Sequence, residues 1–308
     1  MDKGTKKKGR DISSIKGLID EYIESYLKPK NISWHEDLRI LNKYVFPEWK
    51  YFRTTDITKK DVNKLLSRVG NSGGMAKKIF EILQSMFTFA INRNFLEISP
   101  CLDIEIMNKG VPKERIFKHY EIRKFWFGLE NAKMPERMKS ILKFLLLTGQ
   151  HNGEVAGAKW EEFNLHKRWW TIPSTRTKNK KSHQVFLTPM VIDILGPPKK
   201  HGWVFASGKD KHIAPRAVSL SIRKNSEDRS QSKKEYSYGD FFRVGQFMPN
   251  DLRRTAVALM TEAGVDDRKI EKVLNQSTST IDHDFEIRQA LENLEQKLKA
   301  ILVGWKNT

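Results

Sequence analysis

The segment Leu146-Leu147-Thr148-Gly149-Gln150-His151-Asn152-Gly153-Glu154-Val155-Ala156-Gly157 reads as the end of one helix, a glycine turn and the approach to another. Apolar residues at helical spacing run from 135 to 147, and Gly149 follows them where helices commonly stop. A further helix is expected over residues 154–160. His151 and Glu154 stand three apart, a spacing that two metal ligands can share, but no third ligand accompanies them. Glu154 is therefore expected to pack or to cap.

Downstream, residues 168–171 and 184–187 read as short strands around the basic turn Thr177-Lys178-Asn179-Lys180-Lys181. Residues 226–245 are polar, charged and without period, which predicts a long loop, either functional or disordered. Helical spacing returns over 251–263, 268–274 and 285–302. His283 lies between Asp282 and Asp284, read as a surface acidic cluster rather than a metal site.

Upstream, a helix is expected over 121–130, and residues 104–118 lose helical period. That stretch carries Gly110, Pro112, Lys113 and Arg115, the composition of an inter-domain linker. Before it come four predicted helices. Ile12, Ile15, Leu18, Ile19, Tyr22 and Leu27 mark the first. Trp34, Leu38, Leu41 and Val45 mark the second, which should stop before Pro47. Thr58 and Asp61 cap the third ahead of Val62, Leu65 and Leu66. Ile79, Leu83, Met86, Phe87 and Ile91 mark the fourth.

Length and charge narrow the class. A chain of 308 residues usually forms two domains, and 39% hydrophobic residues suffice for real cores. The longest apolar stretch, 141–147, contains Lys143 and is too short to span a membrane. Lys and Arg total 56 against 37 Asp and Glu, a formal charge of +19 spread along the chain. Such an excess is the footprint of a nucleic-acid binder, which gains affinity by releasing counterions from phosphates. The lone Cys101 excludes an intramolecular disulfide, fits a reducing cytoplasm and reads as a small packed hydrophobe. Residues 1–11 are basic with no apolar segment behind them, so they are no signal peptide. They form either an arm that touches phosphates or a solvated end.

Several segments together resemble the phage and genomic-island integrases of the tyrosine recombinase family. They are Trp34-His35-Glu36-Asp37, Asp56-Ile57-Thr58, Phe87-Thr88-Phe89-Ala90, Ser99-Pro100-Cys101, the 146–157 segment, Asn250-Asp251-Leu252-Arg253-Arg254-Thr255-Ala256 and Glu271-Lys272-Val273-Leu274-Asn275-Gln276. They fall in the family's order and cover nearly everything after residue 11. The resemblance implies a mainly α fold with a small β-sheet (α+β). It also implies a basic arm at 1–11, a helical, SAM-like core-binding domain at 12–103, a linker at 104–118 and an integrase catalytic-like domain at 119–308, closing as a C-shaped clamp.

Enzymes of that family attack the scissile phosphate with a tyrosine. Two arginines and one or two histidines stabilise the phosphorane, and a hairpin lysine protonates the leaving oxygen. By resemblance, the first arginine position holds His151, the hairpin lysine is Lys178, and the His-x-x-Arg motif reads Asn250-Asp251-Leu252-Arg253. The second histidine position holds Gln276, and the nucleophile position, nine residues on, holds Phe285. Four positions of six are thus changed, while Lys178 and Arg253 are kept. Phenylalanine has no oxygen to attack phosphorus, and histidine lacks arginine's permanent bidentate fork. Asn250 and Gln276 cannot shuttle protons near neutral pH.

The expectation is a binder of double-stranded DNA that cannot cut it, with no cofactor, no metal and no membrane, associated with the nucleoid in the cytoplasm. Expected DNA contacts are Lys178, Lys180, Arg253, Arg254, Lys113, Arg115, Lys77 and Lys78. Lys178 could equally belong to a solvated turn, and Arg253 could pair with a carboxylate or cap a helix instead. The last helix carries an apolar stripe of Leu291, Leu294, Leu298, Ile301 or Leu302 and Trp305. It packs on its own domain or, as the resemblance implies, supports assembly with another copy. An active recombinase could share the site. The competing functions are an active recombinase using Tyr236 or Tyr238, and a metal-dependent nuclease.

Overall fold

Apolar side chains at three- and four-residue spacing give each N-terminal helix one face that must leave water. The computed structural model describes residues 12–30, 34–70, 74–104, 115–177, 179–208, 210–226, 238–276 and 284–303. Residues 1–11, Lys113, Lys178, Tyr236, Asp282, His283, Trp305 and most of the 104–118 segment lie outside the described residues. The chain divides into two compact units, Met1–Lys113 and Glu114–Thr308.

The first unit is helical. Helix α1 (Ile15–Tyr22) continues through a π-turn, Ile23–Leu27, into Lys28–Lys30. Helix α2 (Trp34–Ile40) does the same through Leu41–Val45 into Phe46–Trp49. Pro47 was expected to end this helix, and it does not. In each case the wide turn lies immediately before a Lys-Pro or Phe-Pro pair, Pro29 or Pro47. Proline has no N–H and crowds the carbonyl four residues back. Widening that turn lets the chain continue, with Lys28 and Phe46 donating five residues back to Ile23 and Leu41.

Helices α3 (Lys59–Val69) and α4 (Met75–Asn92) complete the unit. Thr58 caps α3 in a reciprocal box with Asp61, as the sequence predicts. Ile15, Leu18, Ile19, Tyr22, Leu41, Val62, Ile79, Leu83, Met86 and Phe87 share one core. Cys101 is buried in it, and burial pushes its thiol up to about 12, so it is an inert packing group.

In the second unit, α5 (His119–Asn131) and α6 (Glu136–Thr148) precede the short α7 (Asn152–Ala156). The helix expected over 154–160 starts earlier and stops at Ala156; Trp160–Glu162 is a separate 3₁₀ turn. Strands β1 (Phe163–Asn164), β2 (Trp169–Ile172) and β3 (His183–Phe186) form one antiparallel sheet in that order. The register pairs Trp170 with Val185 and Ile172 with His183. Four helices follow: α8 (Pro189–Leu195), α9 (Pro215–Ser226), α10 (Pro249–Glu262) and α11 (Asp267–Val273). The last is α12 (Asp284–Val303).

The end of the segment read as a long polar loop is in fact part of the core. Phe242 is fully buried and Val244 nearly so, and the Phe242 ring packs against Phe125 together with that of Phe247, just beyond the segment. The apolar stripe of α12 also has a partner already. Leu291, Leu294, Leu298 and Ile301 are buried in the core of this same unit. The fold is mainly α with a small antiparallel sheet.

Candidate nucleic-acid interface

Three local features build the site. Gly149 ends α6 with a positive φ of 64° that suits glycine, turning the chain sharply into His151. The backbone N–H of His151 donates to Glu154 Oε2 at 3.1 Å, so Glu154 caps α7, one of the two roles its sequence suggests. Asp251 caps α10 similarly, accepting from the Met248 N–H at 2.8 Å. The cap leaves Asn250 exposed in the first turn of α10, with Arg253 one turn further on.

His151, Asn250, Arg253, Arg254 and Gln276 line one open cleft of about 640 Å³, with Val257, Leu274 and Ile116 among its apolar walls. Residues separated by as many as 160 positions in the chain, Ile116 and Gln276, therefore converge, and four of the lining residues are positions that the resemblance singles out. Phe285 is not among the lining residues; it stands 74% exposed in the first turn of α12.

Arg253 is 7% exposed. Its Nη1 donates to Gly149 O at 2.6 Å and its Nη2 to Leu274 O at 3.1 Å. The guanidinium thus ties the end of α6 to the end of α11 and lines the cleft besides. Burial lowers its pKa and the Glu154 carboxylate opposes that shift. Burial likewise raises the Glu154 pKa, against the His151 N–H, Arg253 and Arg176. Each charge opposes the effect of burial on the other.

The carbonyls that end α11 collect donors from elsewhere in the unit. Val273 O accepts from Gln150 Nε2 at 2.8 Å and pairs with His183 Nε2 at 3.0 Å. His183 is 5% exposed, and burial depresses its pKa to about 4. It is neutral at pH 7, with the Nε2 proton on the carbonyl. Asn275 O accepts from Asn179 Nδ2 at 2.7 Å. None of these donors is legible in the sequence. The contacts join positions some 90 to 120 apart, beyond any local signal.

Other expected contacts are placed as follows. Lys180 is exposed in the hairpin turn with a positive φ of 58°. Arg254 pairs with Asp251 at 3.0 Å. Arg115 is held internally by Gln246 O at 2.5 Å, by Val244 O and by Glu121 Oε1 at 2.5 Å. Its role in the structure is to fasten the 244–246 backbone. In the first unit, exposed Lys77 and Lys78 lie 4.0 Å from Glu81 and 3.4 Å from Asp37. Tyr238 is 39% exposed, donates its N–H to Lys224 O at 2.8 Å and does not line the cleft. Among the described residues, no group of three or more His, Cys, Asp or Glu is placed to hold a metal, and no helix is long and apolar enough to cross a membrane.

Comparison with known proteins gives the family and the fold. The profile of the phage integrase family matches residues 115–281, more than half of the chain. The chain belongs to the phage integrase family. The prophage integrase IntA of Escherichia coli K12 is 22% identical over 243 residues, covering 77% of this chain and 56% of that protein. A XerC-like tyrosine recombinase of Caldanaerobacter subterraneus is 29% identical over 112 residues, 34% of this chain and 27% of that one. The chain therefore spans about half or less of the length of these curated relatives. In structure it is similar to a lambda integrase dimer bound to a COC′ core site, with a TM-score of 0.62 at 17% identity, over 87% of this chain and 97% of that one. The fold is that of a tyrosine recombinase.

Proposed function

We propose that this chain binds double-stranded DNA through its integrase fold and does not cut it. The observation that carries this reading is Phe285. It occupies the place the family's motif order gives to the nucleophile, and its ring offers no oxygen to phosphorus. The cleft supports the same reading, because it brings His151, Asn250 and Gln276 together around Arg253 with no second permanent cation of the arginine kind at position 151. Loss of one stabilising donor in such a site costs about a hundredfold or more in rate. Loss of the nucleophile removes the reaction.

Affinity comes from phosphate contacts by Lys180, Arg253 and Arg254, with Lys178, Lys113, Lys77 and Lys78 as further proposed contacts, and the +19 charge assists. The role is regulatory or architectural: occupying a recombination site, in competition with an active recombinase or as a partner in its complex. Copies assemble on DNA as a homo-oligomer, and of the stripe of α12 Leu291, Leu294, Leu298 and Ile301 are filled within their own unit. The place of action is the nucleoid. The domain limits of 12–103, 104–118 and 119–308 remain part of this proposal.

Suicide duplexes carrying a nick near the candidate site test the chemistry, since a recombinase is trapped on them as a covalent adduct. The expected result is a salt-sensitive shift in native gels with no band surviving denaturation. A denaturation-resistant adduct that persists when Tyr236 and Tyr238 are both changed to Phe would end both this reading and the Tyr236/Tyr238 alternative. An adduct lost in that double variant would establish the alternative.

A further inference from the structure

The carbonyls of residues 273, 274 and 275 each accept a side chain from a different part of the second unit. The last of these contacts is reciprocal. Asn179 Nδ2 donates to Asn275 O at 2.7 Å, and Asn275 Nδ2 donates back to Asn179 Oδ1 at 3.1 Å. The same Asn275 amide lies 3.5 Å from Lys181 O. Asn275 adopts a positive φ of 56°, a conformation that asparagine tolerates better than most residues. That backbone turn is what brings both its carbonyl and its amide to face residue 179. Asn179 also accepts from the Lys181 N–H at 3.1 Å, and Thr177 Oγ1 donates to Lys181 O at 2.7 Å. The turn between β2 and β3 is thus folded on itself and fastened to the residue that precedes Gln276 in the cleft wall.

We infer that Asn179 and Asn275 form a latch that holds the basic β2–β3 turn beside the cleft, so that Lys180 and Lys181 meet the phosphates of the duplex whose backbone Arg253 and Arg254 face. Both lysines are exposed and carry long flexible chains. An unfastened hairpin turn would spend their charge over many orientations and lose part of the counterion release that binding yields. The two asparagines touch no phosphate themselves; they are positioning residues. This inference rests on the DNA-binding reading above.

The test measures DNA affinity against salt for the full chain, Asn179→Ala, Asn275→Gly, Lys180→Ala/Lys181→Ala and the triple Asn179→Ala/Lys180→Ala/Lys181→Ala. Asn275→Gly keeps the positive φ while removing the amide. Trypsin cleavage after Lys180 and Lys181 is followed on the DNA-free proteins. The latch predicts faster cleavage of both single variants, an affinity loss of about threefold to tenfold, and a salt slope shallower by about one to two. It also predicts that the triple variant binds no worse than the double lysine variant. Unchanged cleavage in the free protein overturns the latch whatever the DNA result. Normal affinity and slope for Asn179→Ala, in a wild-type chain that binds, overturns the positioning role and leaves the DNA-binding reading standing. A wild-type chain that does not bind DNA overturns that reading and the positioning role with it, while the trypsin result still decides whether the latch exists.

Discussion

Arg253 donates to the carbonyl of Gly149 at 2.6 Å, across 104 positions of the chain. The residue proposed above to contact phosphate is therefore a structural tie between two helix ends. The sequence left both roles open. The structure shows the tie: the guanidinium has five N–H donors in a fixed fork, and the two helix ends accept from Nη1 and Nη2.

That double duty predicts a stability cost from Arg253→Ala. The substitution leaves Gly149 O and Leu274 O without this donor and Glu154 with Arg176 as its remaining nearby cation of the pair. The expected loss is about 3 kcal/mol in urea unfolding, with Arg253→Lys falling between it and wild type. A loss under about 0.5 kcal/mol, the size of an ordinary surface change, would contradict the contacts described.

His183 gives a pH dependence with a definite sign. Its folded pKa of about 4 lies below the ordinary 6.5, so over that interval the unfolded chain binds a proton that the folded chain refuses. Its contribution is fully present above pH 6.5 and is lost as pH falls through about 4, a span worth about 3 kcal/mol. Glu154 runs the other way, since burial raises its pKa and favours the folded state as pH falls. The measurement is therefore the difference between wild type and His183→Gln, by urea unfolding at pH 7 and pH 4.5. That difference should move against the wild type on acidification; a constant difference would show that His183 is not held neutral.

Gly128 predicts a packing failure. A Cβ there would stand 2.4 Å from the Phe241 carbonyl oxygen and 3.2 Å from the Phe242 Cα, backbone atoms that cannot swing aside. Gly128→Ala should destabilise by about 2 kcal/mol or more and raise hydrogen exchange in residues 238–248. Wild-type melting would mean that this segment does not pack on α5.

Phe285→Tyr alone should form no adduct with DNA. Position 285 is 74% exposed and outside the cleft, and on the proposed assignment His151, Asn250 and Gln276 would still stand in place of an arginine and two histidines. With three stabilising groups missing at about a hundredfold each, the restored hydroxyl gains no measurable rate. Denaturing gels of suicide-substrate reactions would check it, and an adduct from the single variant would show that the cleft still supports chemistry.

The long, strongly periodic helices were legible in the sequence, from Ile15 and Leu18 through Leu83 and Phe87 to the closing helix of Leu291 and Leu298. The Thr58–Asp61 box was legible too, because a cap is written within four residues. The helices that pass Pro29 and Pro47 were not, since the rule that proline ends a helix ignores a preceding π-turn. Strand β1 is two residues long and has no period to detect. Helices α8 and α9 were not anticipated, and α9 is largely polar. Phe242 was hidden in a polar segment, with Phe247 just beyond it, and the burial of both depends on Phe125, over a hundred positions away. At the site, the positions of His151, Asn250, Arg253, Gln276 and Phe285 came from motif order. The partners of Arg253 and the pairing of Asn179 with Asn275 are tertiary contacts with no local signature.

The most direct test is selection from a library of genomic fragments by the purified chain at physiological salt. Bound DNA is sequenced, and each complex is denatured to look for covalently held protein. The account predicts enrichment of a defined site with every fragment released on denaturation. Fragments that stay attached to the protein would contradict it, and would mean that this chain cuts DNA through a residue other than Phe285.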